Sequence, residues 1–337
     1  MAIIYTILIF GLIIFIHELG HFTVAKLSGV TIHEFSLGMG PTIYKYQGPK
    51  VKYSLRLLPI GGYVAMEGED AESDDENAFS KKPIWQRMLV VIAGAFMNLV
   101  LGLAIMIGIY ATQPVYNSST VANFMENATT QASGLQVGDK IIKMNKTKIL
   151  VDRDIVYELL RDSDGIIDMK VVRDGKKIDL PNVKFDITGE GDQRKLNFDF
   201  KVLGVDRSFL STLDYSFKNT ISLARNSWLS IADLFTGKLG INDLSGPVGV
   251  GQVVNQASGQ GFMSILQLVA FITISIGMFN LLPFPALDGG RFVFLIVELI
   301  RKKPVNPKIE GYVNAAGLVL LLGLMVIVTF KDIIKLF

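Results

Sequence analysis

The chain has 337 residues, of which half are hydrophobic, and a formal net charge of only +2. Soluble globular domains rarely reach this apolar fraction, and the small net charge gives no general basis for binding nucleic acid. Cysteine is absent, which excludes disulfides, cysteine-ligated zinc and cysteine nucleophiles, so a bound metal would need histidine and carboxylate ligands.

The first predicted element is an apolar helix over residues 2–27, which is long enough to span a bilayer. No basic segment precedes it, so we expect a retained span rather than a cleaved signal peptide. The helix contains the run His17-Glu18-Leu19-Gly20-His21, although the whole chain has only three histidines. Ionisable groups at membrane depth are costly unless they are paired or bound to something.

Histidines four positions apart lie one turn apart on one helix face, so both imidazoles can reach one metal ion. Glu18, beside them, can carry a proton. A hydrolytic zinc usually has three protein ligands and one open position, so His17 and His21 need a third ligand. A carboxylate, with Asp288 the best candidate, or His33 would supply it. The alternative is a buried polar cluster that neighbouring helices satisfy.

Residues 51–66 are apolar and strand-like, and Pro59, Gly61 and Gly62 interrupt them. A hairpin here would present an edge to an unfolded substrate segment. This is relevant because a substrate helix hides its amide bonds in hydrogen bonds and must be unwound before cleavage. A simple amphipathic loop is the alternative.

Three further spans are predicted, over residues 84–112, 264–283 and 311–330. Between the second and third spans, residues 115–205 alternate apolar and polar positions and contain the hairpin-turn signal Asp174-Gly175. They predict a small soluble domain with several strands.

Residues 206–260 connect this domain to the third span. Within them, apolar residues at spacings of three and four over 208–235 predict one amphipathic helix. The helix could lie on the outer membrane surface or pack on the soluble domain, and the sequence favours neither.

Basic residues are concentrated after the first span and between the third and fourth spans. Short basic loops face the cytoplasm, so we expect the soluble domain and both termini outside. Asp288 and the histidine motif then approach the same, cytoplasmic side. Asp288 follows two prolines and precedes a glycine pair, and broken backbone at membrane depth must be buried in protein or line a wet cavity. A helix cap or an ion pair with Arg291 is the alternative role for Asp288.

Several motifs are similar to those of one family. The chain resembles the site-2 proteases, which are zinc intramembrane metalloproteases, and most closely their bacterial RseP/RasP-like branch. The matching motifs extend over nearly the full length and are His17–His21, Phe35–Pro41, Leu58–Val64, Ser245–Gly249 and Asn280–Gly290.

The resemblance implies an α-helical polytopic membrane protein with four transmembrane helices, a membrane re-entrant β-element and an inserted extracytoplasmic PDZ-like α+β domain. The expected parts are an N-terminal membrane core (1–114), the PDZ-like domain (115–205), an amphipathic helix with a membrane-associated linker (206–260) and a C-terminal membrane core (261–337).

The resemblance also implies roles for individual residues. His17, His21 and Asp288 are the expected zinc ligands, Glu18 is the catalytic acid/base, and Asn280 positions the substrate. The PDZ-like motif includes Gly134, Leu135, Gly138 and Asp139. One such domain fits the available length, whereas some members carry two. A second departure is Ala95, where the family pattern has proline.

The expected function is regulated intramembrane proteolysis in a bacterial plasma membrane. The substrates would be single-span membrane proteins, anti-sigma factors or remnant signal peptides, which another protease first trims outside. A membrane metal transporter and an inactive PDZ membrane scaffold are the alternatives. The transporter predicts metal flux and tolerance of Glu18 replacement, and the scaffold predicts no zinc.

Overall fold

The structure is a computed structural model that describes residues 2–69, 71, 73–162, 164–189, 195–240 and 244–335. These residues form two compact units. The first contains the chain up to Ile105 and again from Ser227, and the second is Met106–Asn226. The second unit extends beyond the predicted domain of 115–205 at both ends, because the flanking helical turns cluster with it.

Along the chain, the helices and strands are arranged so that long helices precede and follow a middle part that contains most of the strands. They are α1 (Ala2–Leu27), β1 (Ile32–Gln47), β2 (Lys52–Met66), a 3-10 turn (Phe79–Lys81), α2 (Ile84–Thr112), β3 (Val115–Phe124), α3 (Thr129–Ala132), β4 (Lys140–Met144), β5 (Thr147–Lys148), α4 (Asp152–Arg161), β6 (Ile166–Arg173), β7 (Lys176–Lys184), β8 (Ile187–Thr188), β9 (Lys195–Leu196), β10 (Phe200–Asp206), α5 (Phe209–Phe235), α6 (Pro247–Gln260), α7 (Phe262–Asn280), α8 (Asp288–Arg301) and α9 (Pro307–Ile334).

Four of these helices, α1, α2, α7 and α9, have the length and composition of membrane spans. α1 and α2 coincide with the first two predicted spans. The predicted end of the third span, 264–283, is wrong, because α7 stops at Asn280 and the next apolar residues form a turn. The predicted fourth span, 311–330, is the central part of α9, which extends beyond it at both ends.

β1 and β2 form a separate antiparallel sheet in which β1 has β2 partners on both of its edges. Phe35, for example, pairs with both Val64 and Tyr53, so β2 curls around β1. The predicted hairpin within residues 51–66 is therefore wrong: β2 passes through its proline and glycines as one strand, and β1 is its partner.

Two apolar clusters hold α1 on either side of its histidines. Before them, Ile9 and Ile13 pack with residues of α6 and α7. After them, Ala25 packs with residues of the β1–β2 sheet, α2 and α8. A bidentate ion pair also joins Arg87 of α2 to Glu298 of α8, with N–O distances of 3.0 and 2.5 Å. The middle turns of α1 are therefore fixed next to α2 and α8.

The Ser245–Gly249 motif forms the start of α6. The backbone N–H groups of Gly246 and Gly249 each donate to Asp332 Oδ2 of α9 at 2.8 Å. A carboxylate at a helix N-terminus satisfies donors that have no partner within the helix, and the helix dipole favours its charge. The motif therefore joins α6 to the end of α9.

The second unit contains an antiparallel sheet with the strand order β10-β3-β4-β6-β7, and β5 pairs with β4. Asp174 and Gly175 connect β6 to β7 with φ angles of +47° and +78°, which are typical of a two-residue hairpin turn. The predicted hairpin is therefore confirmed. Alternate residues of β6, Ile167, Met169 and Val171, are buried in the core of this unit.

The predicted PDZ-like motif lies in the turn before β4. Leu135 and Asp139 are fully buried, whereas Gly134 and Gly138 adopt positive φ angles. Asp139 accepts hydrogen bonds from the Arg173 guanidinium at 2.7 and 2.8 Å, and this contact raises the pKa of Arg173. The motif therefore forms a buried, charge-paired turn within the second unit.

α5 has the predicted amphipathic pattern, but its buried face is the polar one. Ser216 and Asn219 are fully buried, and Thr212 and Ser222 are nearly so. The exposed side chains of α5 include Phe209, Leu210, Phe217, Ile221 and Phe235. A helix on a water-facing surface has the opposite arrangement.

Candidate active site and metal centre

α1 brings the two motif histidines to one point. The Nε2 atoms of His17 and His21 are 3.1 Å apart, as their spacing of one helical turn requires. Their side chains are only 12% and 13% exposed. The convergence predicted from the sequence is therefore present.

The turn between α7 and α8 brings Asp288 to the same point. Asp288 Oδ2 lies 3.2 Å from His17 Nε2 and 3.5 Å from His21 Nε2. Asp288 is the first residue of α8, and the preceding turn is held where Ala286 donates its backbone N–H to Asn314 of α9 at 3.2 Å. Tertiary contacts of the broken apolar segment thus orient this carboxylate.

These three atoms fit a zinc ion. Tetrahedral zinc with bonds of about 2.0–2.1 Å holds its ligand atoms about 3.3 Å apart, and the measured separations are 3.1, 3.2 and 3.5 Å. Asp288 Oδ2 is buried and has no hydrogen-bond partner among the described residues, although it faces both imidazoles. Such an atom is expected where a metal is the partner. Among the described residues, these three side chains are the one group of histidine, aspartate or glutamate residues placed to hold a metal ion.

α2 leaves open space beside both histidines. A Cβ atom on Gly94 would lie 2.3 Å from His21 Nε2 and 2.7 Å from His17 Nε2, which is too close for atoms that are not bonded. Only glycine therefore allows α2 to approach α1 here while the space next to the nitrogens stays free.

The outer ring nitrogens of the histidines also face α2. His21 Nδ1 lies 2.8 Å from the Val90 carbonyl oxygen, and His17 Nδ1 lies 3.3 Å from Asn98 Nδ2. Contacts of this kind orient metal-binding histidines and fix their tautomers.

Glu18 lines a cavity of about 500 Å³ together with His17 and His21. Its side chain is nearly buried, with 9% of the residue exposed. One wall of the cavity is the end of β2, Gly62–Met66, and another contains Glu69 and Arg291, which form an ion pair. The cavity therefore places an acidic group, an imidazole pair and a strand edge side by side.

The remaining predicted residues divide into two groups. Gly62 lines the cavity, and a Cβ on it would lie 2.7 Å from Glu18 Cγ. Gly61 precedes it with φ +72°, and the Pro59 side chain lies outside the described part of the structure. Asn280 is the partly buried last residue of α7 and is not among the described residues that line this cavity.

His33, the alternative third ligand, lies elsewhere. It is in β1, with its Nε2 2.6 Å from Glu67 Oε2, and its side chain is 55% exposed. His33 is therefore paired with another residue, and Asp288 and not His33 completes the cluster around the two motif histidines.

Sequence reasoning missed three contributions of α2 to the site, from Val90, Gly94 and Asn98. A backbone carbonyl has no sequence signal. Asn98 did have one, because it is a polar residue in the apolar part of a span, and polar residues within spans mark functional positions. Gly94 lies one helical turn before it. Glu69 and Arg291 were likewise not expected at the cavity.

Four membrane-length helices and a His-Glu-x-x-His helix opposed by a carboxylate define a membrane metallopeptidase. The comparison with protein families agrees: residues 5–324 match Peptidase family M50. The chain therefore belongs to peptidase family M50, the site-2 protease family, and is a zinc metalloprotease.

Relatives carry consistent names. A protein of Clostridium perfringens with the provisional name zinc metalloprotease is 36% identical over 335 residues, covering 99% of each chain. One of Fusobacterium nucleatum with the same provisional name is 36% identical over 344 residues, covering 100% of each chain. The regulator of sigma-W protease RasP of Bacillus subtilis is 28% identical over 413 residues, covering 98% of each chain.

Proposed function

We propose that this protease cleaves single-span membrane proteins within the bilayer, after another protease has made a first extracytoplasmic cut. The observation that carries the proposal is the convergence of His17, His21 and Asp288 beside Glu18 and a strand edge. Substrates of the anti-sigma factor or remnant signal peptide type are supported by the relative named regulator of sigma-W protease.

In the proposed mechanism, His17, His21 and Asp288 hold the zinc ion. A zinc ion in such a site polarises a carbonyl group and makes water more acidic. Glu18 takes a proton from the attacking water and later gives it to the nitrogen of the leaving amine. Its position in the cavity wall, next to the imidazoles, supports this role.

The end of β2 is proposed to hold the substrate extended. Among the described residues, Gly62–Met66 pair with β1 alone, so their other edge is free to accept a strand. Strand addition would supply hydrogen bonds to a substrate whose own helix has been unwound. Pro59, Gly61 and Gly62 belong to this proposed binding edge, and Asn280 is proposed to position the substrate from the end of α7.

We assign the β1–β2 sheet as the membrane re-entrant element. Its outer part exposes many large apolar and aromatic side chains, which is unfavourable in water. These side chains include Met39, Ile43, Tyr44, Leu55, Leu57 and Leu58. The exposed face of α5 is also apolar and would also be unfavourable in water. We therefore propose that α5 lies on the outer membrane surface.

The sheet domain of the second unit is proposed to be a single extracytoplasmic PDZ-like domain. The basic residues after the first span and between the third and fourth spans support this orientation, with the metal centre proposed to lie toward the cytoplasmic side. The domain would exclude substrates that still carry their bulky outer part. With one domain, any filter that needs two in tandem does not operate here.

A Glu18→Gln variant tests the proposed reaction. The assay uses full-length protein in lipid discs, a single-span reporter already trimmed on its outer side, and zinc content measured by mass spectrometry. We expect cleavage to fall by at least about 1,000-fold because a general acid/base is removed, with zinc content unchanged.

The matched control is Glu126→Gln, which changes an exposed side chain of the second unit and should leave cleavage unchanged. Full cleavage by Glu18→Gln would contradict the assignment of Glu18. Transport of metal ions by the Glu18→Gln variant would favour a metal transporter. Wild-type protein that contains no zinc would favour a scaffold.

A further inference from the structure

The two motif histidines have different partners at their outer ring nitrogens. His21 Nδ1 faces the Val90 carbonyl oxygen at 2.8 Å. A carbonyl can only accept, so the proton of the neutral His21 ring is on Nδ1. The lone pair is then on Nε2, the atom that faces Asp288. The contact therefore keeps the Nε2 lone pair of His21 available for a metal ion. It uses the backbone of Val90, so it does not depend on the side chain at that position.

His17 has an amide in the corresponding place. Asn98 is fully buried, and its Nδ2 lies 3.3 Å from His17 Nδ1. Its Oδ1 is also buried and has no hydrogen-bond partner among the described residues. An amide offers donors at one end and an acceptor at the other, so it can satisfy either tautomer of His17 by turning over.

Only one of the two amide orientations suits a metal ligand. With Nδ2 toward His17, the ring proton must be on Nε2, where a ligand needs its lone pair. With Oδ1 toward His17, the Nδ1 proton is accepted and the Nε2 lone pair is free. The two ends of the amide are nearly equal in size, so a half-turn of the group needs no repacking of α1 against α2.

A third helix contacts the backbone and the Cβ of Asn98. Its backbone oxygen accepts a hydrogen bond from Thr273 Oγ1 of α7 at 3.2 Å, and Thr273 is fully buried. Gly277 of α7 also lies close, because a Cβ on it would be 3.2 Å from Asn98 Cβ. Asn98 thus connects the helix of the histidines with the helix that leads to Asp288.

We propose that Asn98 is a positioning residue whose Oδ1 accepts the Nδ1 proton of His17 and so fixes the tautomer that binds zinc. It serves His17 as the Val90 carbonyl serves His21. The inference rests on the proposed metal ligands but not on the identity of any peptide substrate. A residue that only joins helices through a polar contact would affect stability and not the metal.

The test compares three variants of the full-length protein in detergent, with zinc affinity measured by competition with a chelator. Asn98→Leu removes the acceptor at similar size, and we expect zinc to bind about 10- to 100-fold more weakly. Asn98→Asp keeps an acceptor and cannot donate, so its zinc affinity should equal or exceed that of the wild type. Thr273→Val removes the contact to the Asn98 backbone but leaves the amide, and should bind zinc nearly normally.

Two further measurements separate positioning from structure. Unfolding temperatures recorded with excess chelator show whether a variant is folded without zinc. Nitrogen-15 histidine spectra of the zinc-free wild type, recorded with excess chelator, should already show His17 protonated at Nδ1, and the three histidines of the chain keep these spectra simple.

The proposal is overturned if Asn98→Leu binds zinc as tightly as the wild type, or if Asn98→Asp loses as much affinity as Asn98→Leu. If Asn98→Leu does not fold, the Asp variant and the histidine spectra still decide. Wild-type protein that binds no zinc would instead reject the proposed metal centre, which is a different failure.

Discussion

Replacing Gly94 with alanine would test the metal centre with one methyl group. The added Cβ would lie 2.3 Å from His21 Nε2 and 2.7 Å from His17 Nε2. Carbon and nitrogen atoms that are not bonded stay about 3.5 Å apart, so the methyl group must displace both rings by about 1 Å. The two displaced nitrogens are the proposed zinc ligands, which must each lie about 2 Å from the ion.

The expected losses differ for the fold and for the site. Alanine favours a helix over glycine by about 1 kcal/mol, whereas overpacking costs about 1–3 kcal/mol. The free energy of unfolding should therefore fall by no more than about 2 kcal/mol. A displacement of about 1 Å at a catalytic centre, in contrast, costs about 100-fold in cleavage rate.

The assay measures zinc per protein, zinc affinity and reporter cleavage on the same full-length preparation. Gly108→Ala is the matched control, because it makes the same change in α2 where nothing lies within 4 Å of the added Cβ. Gly108→Ala should match the wild type in all three measurements. If Gly94→Ala also kept wild-type zinc and cleavage, the Nε2 atoms could not both face the metal.

Three other substitutions address other parts of the chain. Gly62→Val places atoms against Glu18 and should lower cleavage at least about tenfold while zinc content stays normal, as mass spectrometry would show. Asp332→Ala removes the acceptor for two N–H groups at the start of α6 and should lower the free energy of unfolding by about 1–3 kcal/mol in thermal melts; an unchanged melt would contradict this cap. Arg173→Met leaves the buried Asp139 carboxylate without its guanidinium and should destabilise the second unit by at least about 2 kcal/mol, which hydrogen exchange confined to that unit would detect.

The sequence could predict the parts of the fold that depend on composition and short spacing. α1 and α2 match the first two predicted spans because long apolar runs have few alternatives in a bilayer. The sequence also predicted that Asp288 lies beside the two histidines. A broken backbone and a carboxylate are both costly at membrane depth unless other protein groups or a bound ion satisfy them. In each case one strong energetic rule leaves a single outcome.

Rules of this kind could not predict the β1–β2 sheet. β1 contains Gly38, Gly40 and Pro41, which usually interrupt a strand, yet it pairs with β2 along nearly its whole length. Non-local pairing decides this strand, and its partners are not visible in the local pattern. The end of the third span failed for a related reason, because apolar residues suit both a helix and a buried turn.

Asn98 shows what remained hidden in the site itself. The sequence reveals a polar residue within an apolar span but not the atom that it faces. That information depends on the crossing of α1 and α2, which Gly94 makes unusually close. Residues that act on a ligand through another side chain are therefore the last to be found from sequence.

Hydrolysis inside a bilayer needs water and an unwound peptide at the same place. The cavity beside Glu18 has a volume of about 500 Å³ and charged side chains in its lining, so it has room for water molecules next to the histidines. The free edge of β2 borders the same cavity, where a bound strand would present its backbone carbonyls within reach of that water. In the proposed mechanism the sheet therefore does more than bind: it replaces the hydrogen bonds of the substrate helix at the one depth where Glu18 can move a proton. Gly62 is the residue at which these two requirements meet, since any side chain there would push against Glu18.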